Sequence, residues 1–266
     1  MKTHQDADLT IREKGASREE TMALVAEEPL SIRIHGNPYS VVMRTPGDEK
    51  AHVAGFCLAE GIIDAPADVV SIGFCDGDDT NVVTITLTAD RRKKIPAILD
   101  RRNFVSQTSC GLCGKELVDD LYQMLRPVES GSGVDVDTVT AGLLGLSSHQ
   151  PLRARTKASH AAVLFNAAGD PLAAAEDVGR HNALDKAIGK LFLENRLMEV
   201  AFAALSSRIS YELVQKAARA RIPVILAVSR PTSLAVQLAG KLNMTLASLS
   251  PHEGLFIYCG RQRLSV

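Results

Sequence analysis

The chain has 266 residues, 45% of them hydrophobic and 23% charged, with a formal net charge of −1. That length allows one large or two small domains with real cores. The near-neutral charge excludes recruitment of nucleic acid or an anionic membrane by bulk electrostatics. The apolar runs, such as residues 200–205, are far too short to span a bilayer. The opening Met1-Lys2-Thr3-His4-Gln5-Asp6 is polar and shows no apolar signal region. A cytoplasmic protein is expected, with no nucleic-acid or membrane partner. Its five cysteines then read as reduced thiols, catalytic groups or ligands, not as a disulfide framework.

Residues 1–27 carry many charges and little periodicity, and predict a flexible lead-in. A small N-terminal α+β domain is expected over 28–130. Residues 30–34 alternate, Gly36-Asn37-Pro38 turns, and 39–43 continue as the second strand of a hairpin. Pro46-Gly47-Asp48 opens a helix to about Ala59. Residues 69–74 and 82–87 predict a second strand pair, and Arg91-Arg92-Lys93-Lys94 precedes a short helix. A cysteine loop and a helix over 115–125 complete this half. Residues 127–133 form the best linker, and a C-terminal α/β domain is expected over 131–266. It begins with a helix over 136–146 and a hairpin of 161–165 with 171–175. Helices over 182–193, 211–220 and 232–242 then alternate with strands over 200–205, 223–228 and 244–249, and 254–258 is a last strand. This pattern predicts a mixed, largely parallel sheet with helices on both faces.

The cysteine loop holds Ser109-Cys110-Gly111-Leu112-Cys113-Gly114-Lys115. A Cys-x-x-Cys pair can bind metal, cycle through a disulfide, or carry sulfur. Zinc needs four ligands, and there is no second pair. Cys57, Cys75 and Cys259 lie in apolar surroundings and read as small hydrophobes. A zinc deaminase would also need a His-x-Glu or Cys-x-Glu, which is absent. The pair follows a basic helix, not the strand of a βαβ unit, so thioredoxin-like cycling is disfavoured. What is left is a thiolate that accepts and passes on a group, favoured by Lys115 and the following helix N-terminus.

Two strand-to-helix junctions in the second half repeat one recipe: Ser206-Ser207-Arg208-Ile209-Ser210 and Ser229-Arg230-Pro231-Thr232-Ser233. Both fall at strand carboxyl ends, hence on one edge of a parallel sheet, where ligands of open α/β sheets bind. Hydroxyls, arginines and helix N-termini suit phosphate, so a nucleotide-like ligand is expected there. The third strand ends at the same edge, in Leu249, Ser250, Pro251, His252, Glu253 and Gly254. The plainer alternative is that the hydroxyls only cap helices and the arginines only decorate the surface. A third cluster runs from Glu176 to Lys186 and includes Asp177, Arg180, His181 and Asp185. His181 and Asp185 are spaced to share a helix face, so that the carboxylate could fix the imidazole tautomer. The cluster reads either as a ligand-orienting or proton-handling site or as a capped helix start with a structural ion pair.

The cysteine loop, the 176–186 cluster, Ser206-Ser207-Arg208-Ile209-Ser210-Tyr211-Glu212, Leu58-Ala59-Glu60-Gly61-Ile62-Ile63 and Gln262-Arg263-Leu264 together resemble the formate dehydrogenase accessory sulfurtransferases, the FdhD family. The likeness runs from about residue 28 to the end. It implies a sulfurtransferase that receives sulfur from a cysteine desulfurase as a persulfide. The sulfur passes to the molybdenum bis(guanine dinucleotide) cofactor before that cofactor enters formate dehydrogenase. By resemblance, Cys110 carries the persulfide, with Cys113 beside it, and residues 249–254 form the cofactor-binding segment. No tightly bound metal is implied. A homodimer and a cytidine-deaminase-like C-terminal fold without deaminase chemistry are also implied. Many relatives carry a cysteine where this chain has Ala158. The alternative is a chaperone that only holds the cofactor, with redox-sensing cysteines.

Overall fold

The computed structural model describes residues 2–76, 79–95, 125–129, 133–250 and 254–265. Cys110, Cys113 and all but the last residue of the helix expected over 115–125 lie outside the described residues. The lead-in is a correction: it forms a long antiparallel hairpin of β1 (His4–Glu13) and β2 (Ala16–Val25). In β1, Ala7, Leu9 and Ile11 alternate with polar residues, and the register puts Met22, opposite Ala7, and Leu24, opposite Gln5, on the same face. Lys14 and Gly15 both take positive φ, 49° and 90°, as a tight two-residue hairpin turn requires.

The first sheet has the order β4-β3-β6-β5. It comprises β3 (Glu28–Ile34), β4 (Asn37–Arg44), β5 (Val69–Asp76) and β6 (Asp79–Leu87), with β3 and β6 parallel. Leu30 and Ile32 of β3 and Val83 and Ile85 of β6 are fully buried, facing helix α1 (Glu49–Ala59). Arg91 and Arg92 themselves end a short helix, α2 (Ala89–Arg92), and the helix expected after the basic stretch lies outside the described residues.

The second sheet has the order β13-β12-β11-β10-β8-β9. Its strands are β8 (His160–Phe165), β9 (Pro171–Asp177), β10 (Phe202–Leu205), β11 (Val224–Ala227), β12 (Thr245–Ser250) and β13 (Gly254–Cys259). Only β10, β11 and β12 run parallel; β8, β9 and β13 are antiparallel additions, so the sheet is less parallel than the alternation implied. Chain length explains the two pairs β8–β9 and β12–β13, because the few residues between their strands cannot make a parallel crossover. Helices cover both faces, as expected. Ala203 and Leu205 of β10 pack with α5 (Arg180–Leu193), α6 (Tyr211–Arg219) and α7 (Ser233–Lys241). Phe202 and Ala204 point the other way, to Val139 and Leu143 of α3 (Val136–Leu144). A short helix α4 (Pro151–Thr156) precedes β8. A small parallel pair, β7 (Val134–Asp135) and β14 (Leu264–Ser265), brings the chain's end back beside its middle.

One buried cluster runs from the first sheet through α1 to α5 and the second sheet. The two helices cross backbone to backbone. A Cβ on Gly55 would stand 1.9 Å from the Asp185 carbonyl oxygen, and one on Gly189 would stand 1.7 Å from that of Ala51. The last turn of α1 has no basic residue of its own. Two arginines from elsewhere satisfy the carbonyls there. Arg219 of α6 donates to Leu58 O (2.9 Å) and Ile63 O (3.0 Å), and Arg91 of α2 to Ile62 O (2.6 Å); both pair with Asp64. The stretch read as a linker is tied down where it is described. Arg263 donates to Val128 O (3.0 Å) and Glu129 O (2.6 Å), and Arg221 to Pro127 O (3.0 Å). Among the described residues no helix is long and apolar enough to cross a membrane.

Candidate functional site

The strand directions gather the site. β10, β11 and β12 end at one edge; antiparallel β8 starts there with His160, and β9 ends there with Asp177, His160's partner in register. Ser207, Arg208, Ser229, Arg230, Leu249, Ser250 and Gly254 therefore share an edge, as their positions in the sequence predicted. Pro251, His252 and Glu253 lie outside the described residues.

The two junctions differ in detail. Ser206 accepts from the Ala161 amide (2.8 Å), and the buried Ser207 hydroxyl donates to Arg208 O (3.0 Å). Arg208 is exposed. In the second junction, Thr232 caps α7 by accepting from Ala235 N (3.3 Å). Ser229 and Arg230 stay exposed, with the guanidinium 5.4 Å from the centre of the Phe256 ring. Ser210 leads into α6 without capping it; its hydroxyl lies 3.2 Å from His181 Nε2.

The ionisable cluster divides into two networks. Asp177 is wholly buried. Its Oδ2 takes the Lys186 ammonium (2.7 Å) and the Thr45 amide (3.0 Å), and its Oδ1 takes Gly179 N (2.8 Å) and Asn182 Nδ2 (2.9 Å). Lys186 also donates to Thr45 O (2.7 Å), and Asn182 to Met43 O (2.7 Å). The exit of β4 is thus bolted to the start of α5.

The second network corrects the expected His181–Asp185 pairing. Both Asp185 oxygens accept from Lys216 of α6, at 2.8 and 2.7 Å, while His181 Nε2 lies 2.8 Å from Glu212. Burial raises the Asp185 carboxyl to about 6 against the pull of Lys216. Burial also lowers His181 to about 4; Glu212 opposes this, and the charges of Arg180, Lys216 and Arg208 assist it. A neutral imidazole facing a carboxylate carries its proton on Nε2, which leaves Nδ1 as an acceptor. A cavity of about 270 Å³ opens here, lined in part by Phe56, His181, Asp185, Glu212, Gln215 and Lys216.

His52 of α1 is buried beside both networks. Desolvation, then the charges of Lys186, Lys216 and Arg44, hold it well below the ordinary histidine value, with the Asn182 amide opposing. The folded state excludes a proton that the unfolded chain binds below its own value near 6.5. His52 therefore contributes stability that is full above that value and is lost as pH falls toward its depressed folded value. Replacing His52 with Leu should flatten the acid limb of stability. As pH falls from 6.5 to 5 the wild type should lose stability faster than the variant, by a difference that steepens toward about 1.4 kcal/mol per pH unit, read from urea midpoints. Parallel slopes would refute a neutral, proton-excluding His52.

Cys57 is fully buried and Cys259 half-buried; burial pushes both thiols up, as suits apolar fillers and not nucleophiles. Among the described residues no group of three or more His, Cys, Asp or Glu side chains could hold a metal. Sequence reasoning missed Thr45 and Lys216. No local signal marks them, because their partners lie far along the chain.

Residues 25–265 match the model of the FdhD/NarQ family. The chain belongs to the FdhD/NarQ family. Among FdhD relatives, the sulfur carrier protein FdhD of Anaeromyxobacter dehalogenans strain 2CP-C is 39% identical, over 96% of this chain and 92% of its own. That of Streptomyces coelicolor is 40% identical, over 97% and 94%. A crystal structure described as a formate dehydrogenase accessory protein from Desulfotalea psychrophila superposes with a TM-score of 0.79. It covers 99% of this chain and 100% of its own at 22% identity, and establishes the likeness of fold. The match to the FdhD/NarQ model begins at the last residue of β2, so most of the β1–β2 hairpin precedes it.

Proposed function

We propose that this chain is a sulfur carrier in formate dehydrogenase maturation, with a molybdenum bis(guanine dinucleotide) cofactor as its substrate. A cysteine desulfurase presents sulfur as the outer atom of a persulfide. The Cys110 thiolate attacks that atom; a new S–S bond forms, the donor's S–S bond breaks, and the donor cysteine leaves as a thiolate. In the onward transfer the Cys110 S–S bond breaks, Cys110 leaves as a thiolate, and its outer atom would pass to the cofactor as sulfane sulfur. The cytoplasm suits this chemistry, because thiols stay reduced there. The helix-covered second sheet supports a cytidine-deaminase-like reading of the C-terminal half, without deaminase chemistry.

One observation carries the reading. Two Ser-Arg junctions and residues 249, 250 and 254 meet at a single sheet edge, in a chain whose relatives bear the name sulfur carrier. Such an edge offers phosphate-binding groups for a nucleotide-bearing acceptor. After incubation with a desulfurase and cysteine, mass spectrometry should find one added sulfur on the Cys110 peptide. Cys110→Ala should abolish that gain and the activation of a formate dehydrogenase. A variant that still takes up sulfur and still activates the enzyme would exclude Cys110 as the carrier. Activation without any sulfur gain in the wild type would favour a cofactor-holding chaperone.

A further inference from the structure

We propose that Arg180 is a phosphate-binding residue of this edge, gripping the pyrophosphate of the guanine nucleotide together with Arg208, beside His160 and His181. The proposal rests on the reading above and extends its ligand site to a residue outside both Ser-Arg junctions.

Arg180 is the first residue of α5, where β9 ends. It is half-buried, and its Nε is shut off from solvent with no hydrogen-bond partner. Among the described residues its guanidinium makes no hydrogen bond and no ion pair; the same holds for Arg208. A guanidinium keeps its charge and offers five donors, so a partly desolvated one without a counter-ion is a poor resting arrangement.

The carboxylates of this neighbourhood are already engaged. Glu176 accepts from the amides of Leu152 (2.7 Å) and Arg153 (2.9 Å) and from the Ser159 hydroxyl (2.7 Å). Asp177 is enclosed by Lys186, Asn182, Thr45 and Gly179, and the exposed Glu212 turns one oxygen to His181. The imidazoles supply no negative charge. Arg180 follows the end of β9 and Arg208 the end of β10, so both stand at the sheet edge where β8 begins with His160.

The site is also preorganised. The Asp177 network fixes the β9–α5 turn from below, and the N-terminus of the fourteen-residue α5 adds its dipole. Paired arginine forks match phosphate oxygens in geometry, which favours a pyrophosphate over a simple thiolate.

Calorimetry on the full chain with orthophosphate, pyrophosphate and GDP tests this. Wild type should bind pyrophosphate and, more tightly, GDP. Arg180→Gln should weaken both by a similar factor, about tenfold or more. Arg180→Lys should restore part of the loss by returning the charge without the fork. Arg230→Ala, in the other junction, serves as the comparator. Wild-type affinity in Arg180→Gln with a loss in Arg230→Ala would overturn the Arg180 assignment and leave the proposed function standing. No binding of either ligand by wild type would overturn both. Orthophosphate as tight as GDP would overturn the nucleotide as source. Should Arg180→Gln not fold, the ring resonances of His160 and His181 in wild type decide. Pyrophosphate should shift them, and unmoved rings would overturn the proposal.

Discussion

Replacing Gly189 with Ala should cost this protein most of its stability. The added methyl would lie 1.7 Å from the Ala51 carbonyl oxygen and 2.9 Å from the Gly55 amide nitrogen. Both are helix backbone, which cannot swing aside as the tip of a flexible side chain does. The helices α1 and α5 would have to separate along their whole crossing, and the cluster they share would open with them. Ordinary overpacking costs about 1–3 kcal/mol; a clash with a backbone at this distance should exceed that. A total stability of about 5–15 kcal/mol leaves little margin. Gly55→Ala should behave alike, because its methyl would meet the Asp185 backbone at 1.9 Å. Gly240→Ala is the contrast: nothing lies within 4 Å there, and helix propensity should make it neutral or stabilising by up to about 1 kcal/mol. Thermal and urea unfolding of the three variants would show the order. A wild-type midpoint for Gly189→Ala would mean that the helices do not touch as described.

Asp177→Ala should be nearly as damaging, for a different reason. It removes no great volume but strands the Lys186 ammonium, which is 1% exposed and would keep only the Thr45 carbonyl. The Thr45 and Gly179 amides would lose their acceptor as well. Breaking a buried pair by deleting one partner costs about 3–5 kcal/mol. Removing both charges, as Asp177→Ala with Lys186→Met, should recover part of that loss, since the second change eliminates the stranded cation. A double variant no better than the single one would assign the loss to the orphaned amides and not to the charge. Because this network seats the β9–α5 turn, Asp177→Ala should also weaken anything bound through Arg180.

Much of the second half was legible because its elements are long, regular and punctuated. Strand 224–227 is a continuous apolar run, and α5 to α7 show clear apolar faces. Their order alone placed Arg208 and Arg230 on a common edge, since parallel strands must end on the same side. Pairings between distant segments were not legible. His181 and Asp185 have suitable spacing, yet each found a partner on α6, because Glu212 and Lys216 approach from a helix packed alongside. Spacing along one helix says which residues can meet, not which neighbours compete for them. The β8–β9 hairpin was legible, but that β8 runs against β10 and β13 against β12 was hidden, because hydrophobic alternation carries no sign for strand polarity.

The β1–β2 hairpin shows the same limit and has a consequence of its own. Its strands are ten residues each, about 34 Å long, and only the two pair with each other in that sheet. Long free edges of this kind invite neighbouring molecules to add strands and precipitate. Arg12, Glu13, Arg18, Glu19 and Glu20 crowd the outer end of the ribbon, where such growth would start. The charges that disguised these strands as an unstructured lead-in are the same ones that discourage the ribbon from seeding aggregates.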